Sequence, residues 1–188
     1  MTDHREPSLS STDDTTEPET PLWAFALRLY AVPNVAETCL TLQDRHAADV
    51  NLLLLCCWVG CHGAYLPRDQ IATLDQLVTA WRTEVIAPVR ALRRLMKLAV
   101  GPVQPDQSAG VRKAIKSAEL QAEKVELEFL YKALESLPAK NAHEADRGGV
   151  IRSNLLHYLT LLGIDSGTGE VRAAIEMLVS ETVALSRV

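Results

Sequence analysis

Within the stretch Gln43 to Asn51 the chain gathers Gln43, Asp44, His46, Asp49 and Asn51. Two carboxylates, an imidazole and two amides can coordinate a divalent ion or polarise a bound substrate. The same residue types also start and stop helices. Asp49 suits an N-cap, Asn51 can satisfy free backbone donors in a first turn, and Asp44 can close the preceding helix. No recognised metal-ligand spacing accompanies them. The cluster is therefore read first as capping and loop ordering, with a ligand or partner site as the alternative.

A second group is basic. Arg82, Arg90, Arg93, Arg94 and Lys97 form the one local cationic excess. At about 100° per residue, Arg82, Arg90, Arg93 and Lys97 fall within roughly 80° of one another. The apolar stripe of the same segment centres on another face, so the arginines are expected to face solvent together. Such a face suits phosphates or an acidic partner, although pairing with neighbouring glutamates is the commoner fate of such residues. No nucleic-acid-binding motif or interleaved aromatic platform accompanies it, which disfavours nucleic acid.

The remaining chemistry is thin. Cys57, Cys61 and His62 lie close together, but structural zinc needs four ligands and only Cys39 and His46 could complete a set. Buried cysteine more often serves as a small apolar side chain with an inert thiol. No metal and no cofactor is expected. The segment GIDSGTGE, Gly163 to Glu170, lacks the Lys and the preceding strand of a phosphate loop and is read as a helix–helix turn. No Ser-His-Asp order or dinucleotide fingerprint is found, so the reading leans away from an enzyme.

The elements that must position these residues are helical almost throughout. Leu22 to Ala31 opens the fold and Pro33 stops it. Asn34 is expected to cap a second helix, with Glu37 three residues on as an imperfect capping box, and Val35, Cys39 and Leu42 inward. Asp49 should cap a third helix through Leu52 to Val59, eight consecutive apolar residues that demand burial on every side. Pro67 starts a fourth. Its stripe of Ile71, Leu74, Val78, Trp81, Val85, Val89, Leu92 and Met96 runs through Pro88, which should kink the helix or split it. Residues 101–110 read as a linker. A long amphipathic helix follows, with Val111, Ile115, Ala118, Ala122, Val125, Phe129 and Ala133 inward, then helices near 150–162 and 170–186. The expectation is an all-α, single helical-bundle domain of about seven helices over residues 21–188, around a buried central helix. Its core should include Trp23, Phe25, Leu40, Leu53, Trp58, Leu77 and Trp81.

Composition sets the outer bounds. The 188 residues suffice for one domain with a real core. The net charge of −5 sits in residues 1–20, where Asp3, Glu6, Asp13, Asp14, Glu17 and Glu19 oppose Arg5. That segment holds almost no large apolar side chain and reads as a disordered acidic tail. It lacks the pattern of a secretory signal. Four cysteines without such a signal imply free thiols in a reducing compartment, which points to the cytoplasm. The apolar run near residue 55 is broken by Asn51, Gly60, His62 and Gly63, so no membrane span is expected.

Three ordered stretches, LWAFALRLYAVPNV, CLTLQDRHAADVNLLL and WRTEVIAPVRALRRLMK, together carry a resemblance over residues 23–97 to a proteobacterial family known as a domain of unknown function. The chain differs from that family's pattern in having Asn34 after Pro33 and in the patch of Cys56, Cys57 and Cys61. The resemblance implies a small helical intracellular bacterial protein and implies no activity. The functional expectation is a non-catalytic interaction protein that docks an unknown protein partner, or a second copy of itself, through the basic helix face. The alternative is a helical enzyme, or a small-ligand or metal-binding protein, working at the Gln43–Asn51 cluster.

Overall fold

In a computed structural model, residues 19–137, 140–141 and 146–186 are described. Apart from Glu19 and Thr20, the expected acidic tail lies outside them. Asp49 accepts a hydrogen bond from the Leu52 N–H (3.0 Å) and opens α3, Val50–Cys61, as its position before the apolar run requires. Leu52, Leu53, Leu55, Cys56 and Cys57 are buried completely or almost so, and α3 forms the axis of the bundle. Around it stand α1 (Pro21–Tyr30), α2 (Val35–His46), α6 (Ala109–Leu134), α7 (Arg147–Leu161) and α8 (Gly169–Leu185). α4 (Arg68–Trp81) runs through a π turn, Arg82–Ile86, into α5, Ala87–Leu95. If those three are counted as one bent rod, the described chain has seven helical rods.

α3 packs most extensively on α7. A Cβ at Gly60 would stand 2.7 Å from the Ile151 Cα, so the two backbones meet where only glycine fits. The fully buried Asn154 of α7 fixes the chain leaving α3. Its Oδ1 accepts from the Leu66 N–H (2.8 Å), while its Nδ2 donates to the carbonyls of Ala64 (3.1 Å) and Cys56 (3.4 Å). The one sheet in the described residues is a two-residue antiparallel pair, β1 (Ala64–Tyr65) with β2 (Lys140–Asn141). Among the described residues no helix is long and apolar enough to cross a membrane.

Several local expectations need correction. Asn34 precedes α2 in a left-handed conformation (φ 69°) and makes no side-chain cap bond, so the capping box does not form. Leu40, Leu77 and Trp81 are exposed, not core, and Trp58 is only half-buried, whereas Trp23, Phe25 and Leu53 are buried as expected. On α6 the inward face is Glu119, Ala122, Glu126, Leu127 and Leu130. Val111, Val125 and Phe129 point outward.

The stripe along α4 and α5 changes register at the π turn. Pro88 has no N–H to give, and in a regular α-helix its ring would press on the carbonyl four residues back. The chain answers by widening the preceding turn, with the Ala87 N–H reaching the Arg82 carbonyl. One extra residue in the turn moves the inward positions from Val85, Val89 and Leu92 to Ile86, Arg90 and Arg93. Ile86 is accordingly buried, while Leu92 is exposed. Arg90 and Arg93 thereby turn toward α6.

Candidate binding cleft

A cleft of about 360 Å³ opens between α1 and α2 on one side and α5 and α6 on the other, with α3 as its floor. Trp23, Ala26, Leu27 and Tyr30 of α1, Leu40 of α2, Leu54 of α3 and Leu120 and Leu127 of α6 make its walls apolar. Gln43, Asn51, Arg90, Arg93, Arg94, Lys116, Glu119 and Glu123 supply its polar groups. The volume falls in the range of small-ligand sites, ~300–1,000 Å³. The cleft therefore joins two sets that the sequence presents as separate: Gln43 and Asn51 from the polar cluster, and Arg90, Arg93 and Arg94 from the basic segment.

The arginines are not equivalent. Arg90 donates through Nε to Glu119 (2.9 Å) and through Nη2 to Glu123 (2.7 Å). Arg93 forms a two-point contact with Glu119, including a bond from Nη2 (3.1 Å). Burial alone would raise the Glu119 carboxyl, but its bonds to Arg93 and Arg90 outweigh that and hold it below the usual carboxylate range. For Glu123 burial wins and the carboxyl is pushed up. Both arginines are mostly covered, contrary to the expected solvent-facing set. Arg94 differs: its bond to Asp44 (2.7 Å) joins side chains that are 47% and 49% exposed. Lys97 lies outside the cleft lining.

Beneath the floor lies a buried polar layer. Asp49 caps α3 with one oxygen and faces Arg82 Nη1 with the other at 3.5 Å, while Arg82 Nη2 donates to Asp75 (2.7 Å). The Asp49 N–H donates to the Tyr158 hydroxyl (2.7 Å). Asn51 does not serve its own first turn. Its Nδ2 donates to Glu126 Oε2 (2.9 Å) and to the Glu123 carbonyl (3.3 Å) on α6. Desolvation, then the nearby Asp49, push the Glu126 carboxyl up to about 8. Asp49 is also raised by burial, which Arg82 only partly offsets. Like charges resist ionising together, so each carboxyl is held above the usual carboxylate range.

Not every member of the polar cluster reaches this place. Gln43 and Asn51 line the cleft, Asp44 stands at its rim through Arg94, and Asp49 lies below it. His46 turns away to Glu170 of α8 (3.3 Å), beside the Arg45–Glu170 ion pair. Nothing in the sequence marks Glu119, Glu123 and Glu126 as site residues. Their spacing along α6 was legible, but their inward direction depends on the shifted arginines opposite.

Gln43 Oε1 is buried and finds no hydrogen-bond donor among the described residues. The four cysteines are free and buried. Burial pushes every thiol up, Cys57 to about 12 and Cys61 to about 11, with Cys39 and Cys56 also raised. Among the described residues no three His, Cys, Asp or Glu side chains gather as a metal site.

No curated protein and no solved structure matches the chain. One family model does match, over residues 21–130, a span that includes every residue lining the cleft. The chain belongs to that family, described as a protein of unknown function, DUF2390.

Proposed function

We propose that this protein is a non-catalytic interaction module, and that the cleft is where it docks a segment of a protein partner. The observation that carries the reading is an apolar-walled cavity with an exchangeable cation at its mouth. Arg90 and Arg93 are committed to buried carboxylates. The Arg94–Asp44 pair is exposed, and such pairs contribute only ~0–1 kcal/mol. A partner carboxylate can therefore replace Asp44 at little cost, and Lys116 also lines the cleft. The unmatched Gln43 oxygen favours a partner that also brings an N–H or O–H donor. The partner segment is thus an apolar side chain, next to an acidic one, on a backbone able to donate.

A peptide-display selection against the full chain tests this. Enriched peptides should pair a large apolar residue with Asp or Glu. They should be lost by at least about tenfold from Leu120→Glu and from Arg94→Glu, each change removing ~1.4 kcal/mol or more of binding. Both residues are exposed, so the variants should melt with the wild type. Peptides indifferent to both changes, or no enrichment, would sink the proposal.

A second reading, a helical enzyme or small-ligand protein, is favoured by one observation: Asn51 of the cleft lining donates to the buried Glu126 carboxyl, which burial pushes up. Turnover in a broad substrate screen that Glu126→Gln abolishes without unfolding would establish it over the docking reading.

A further inference from the structure

The α5–α6 hairpin ends in a tip that the cleft does not use. Six of the thirteen exposed large apolar side chains among the described residues lie there: Leu92, Leu95, Leu98, Val100, Val103 and Val111. They come from three stretches drawn together by the backbone. Val100 and Val103 exchange both of their N–H···O bonds (3.0 and 3.1 Å), which folds the connection into a tight turn. Leu92, Leu95, Val100 and Val103 line a shallow apolar hollow of about 250 Å³. Arg112 Nη1 donates to the Met96 carbonyl (3.4 Å), holding the start of α6 against the end of α5. α5 finds its helical partners in α6 and the π turn, and it is tied to α2 by the exposed Arg94–Asp44 pair.

The charge of this tip is lopsided. With Arg93 and Arg94 engaged by Glu119 and Asp44, residues 92–115 still hold Lys97, Arg112 and Lys113 against a single carboxylate, Asp106. Exposed aliphatic side chains interspersed along the chain with lysine and arginine match the boundary of an anionic bilayer, where apolar groups enter below the headgroups and cations remain among them. Leu98, 67% exposed, stands beside Lys97 in that arrangement. A folded protein would need a surface shaped to all three stretches and to the open hollow between them, whereas lipid deforms to fit them. Nucleic acid would gain nothing from six aliphatic side chains and finds no aromatic platform in the tip. α5 has nine residues, far short of a membrane span, so contact is limited to the interface.

We propose that the α5–α6 tip docks on an anionic lipid surface, with Leu95, Leu98, Val100 and Val103 entering the headgroup boundary and Lys97, Arg112 and Lys113 meeting its charge. This site stands independently of the cleft.

Vesicle sedimentation with the full chain tests it, using phosphatidylcholine alone and phosphatidylcholine containing about one-third phosphatidylglycerol. The protein should sediment with the anionic vesicles and stay in solution with the neutral ones. Leu95→Glu combined with Leu98→Glu should weaken sedimentation at least about tenfold, and Lys97→Glu combined with Lys113→Glu should weaken it most at low salt. All four residues are exposed, and matched melting curves check that the fold is kept. The cleft variant Leu120→Glu should sediment as the wild type does. Failure to sediment at low salt, or equal sedimentation with neutral vesicles, would overturn the proposal. So would sedimentation that survives the leucine changes, or equally tight binding to soluble polyglutamate, which would make the tip a site for an acidic chain.

Discussion

Asp49 shows how one residue can serve two masters. Its capping role is legible in the sequence, because an aspartate placed just before an apolar run has the orphan donors of a first turn in reach. Its second partner, Arg82, lies 33 positions away and meets it only through the fold (3.5 Å). Asn51 is similar, since its amide serves two α6 acceptors that no local pattern announces. The buried carboxyl at the end of that link carries a pH prediction. Glu126 is 1% exposed, and desolvation followed by Asp49 pushes it up to about 8 from an ordinary 4.5. The folded state therefore binds this proton more tightly than the unfolded chain does. The group's contribution to stability is intact below its unfolded value and is lost as pH rises toward about 8. Glu126→Gln can still accept from Asn51 but does not titrate. Thermal melts from about pH 5 to about pH 9 should show the wild type losing stability across this window and the variant losing clearly less. Parallel curves would mean that the proton resides elsewhere in the layer.

At the scale of elements, burial was easiest to read where the apolar pattern admitted one solution. α3 is apolar on all sides, so its central place followed directly. α2 likewise turns Val35, Cys39 and Leu42 inward. α4 and α5 were read as one continuous period, and the π turn broke it. The inserted residue follows from Pro88, but a kink, a split and a π turn are all answers to proline, and they rotate the following helix differently. Once α5 rotates, α6 must present Glu119 and Glu123 to Arg90 and Arg93, and its valines and Phe129 face outward. A single register step thus displaced the expected inner faces of two helices. The α3–α7 contact was equally hidden, because no sequence pattern marks Gly60 as the point where two backbones touch. Gly60→Ala should therefore destabilise the fold by about 1–3 kcal/mol, since a Cβ would press on Ile151 backbone atoms that have no rotamer to change. Chemical denaturation of the variant is the check, and an unchanged midpoint would mean that α7 slides aside freely.

For the whole molecule, charge and apolar surface are divided along the chain in a way that only the assembled fold makes useful. The cleft uses α1, α2, α3, α5 and α6, while the apolar cationic tip uses the far end of the α5–α6 hairpin. One hairpin thus carries part of both surfaces, and partner docking would occur on a protein held close to lipid. Against this stands the acidic leading segment. Residues 1–18 hold Asp3, Glu6, Asp13, Asp14 and Glu17 opposed by Arg5, a net charge of −4 out of −5 for the chain. These residues lie outside the described part. Thr20, whose hydroxyl accepts from the Trp23 N–H (3.3 Å) to cap α1, lies beyond them and survives their removal. A chain lacking residues 2–18 should therefore keep its melting temperature within about 2 °C, because no large core-forming group except Leu9 is lost. It should also carry almost no net charge, so its cationic tip meets an anionic surface with less opposing field. Sedimentation with phosphatidylglycerol-containing vesicles should then tighten several-fold at ~0.02 M salt, where charges act over more than 20 Å, and converge with the full chain near ~0.5 M, where the screening length is only a few ångströms. If the truncated chain sediments no better at low salt, the leading segment does not oppose the tip, and its acidity serves the molecule in another way.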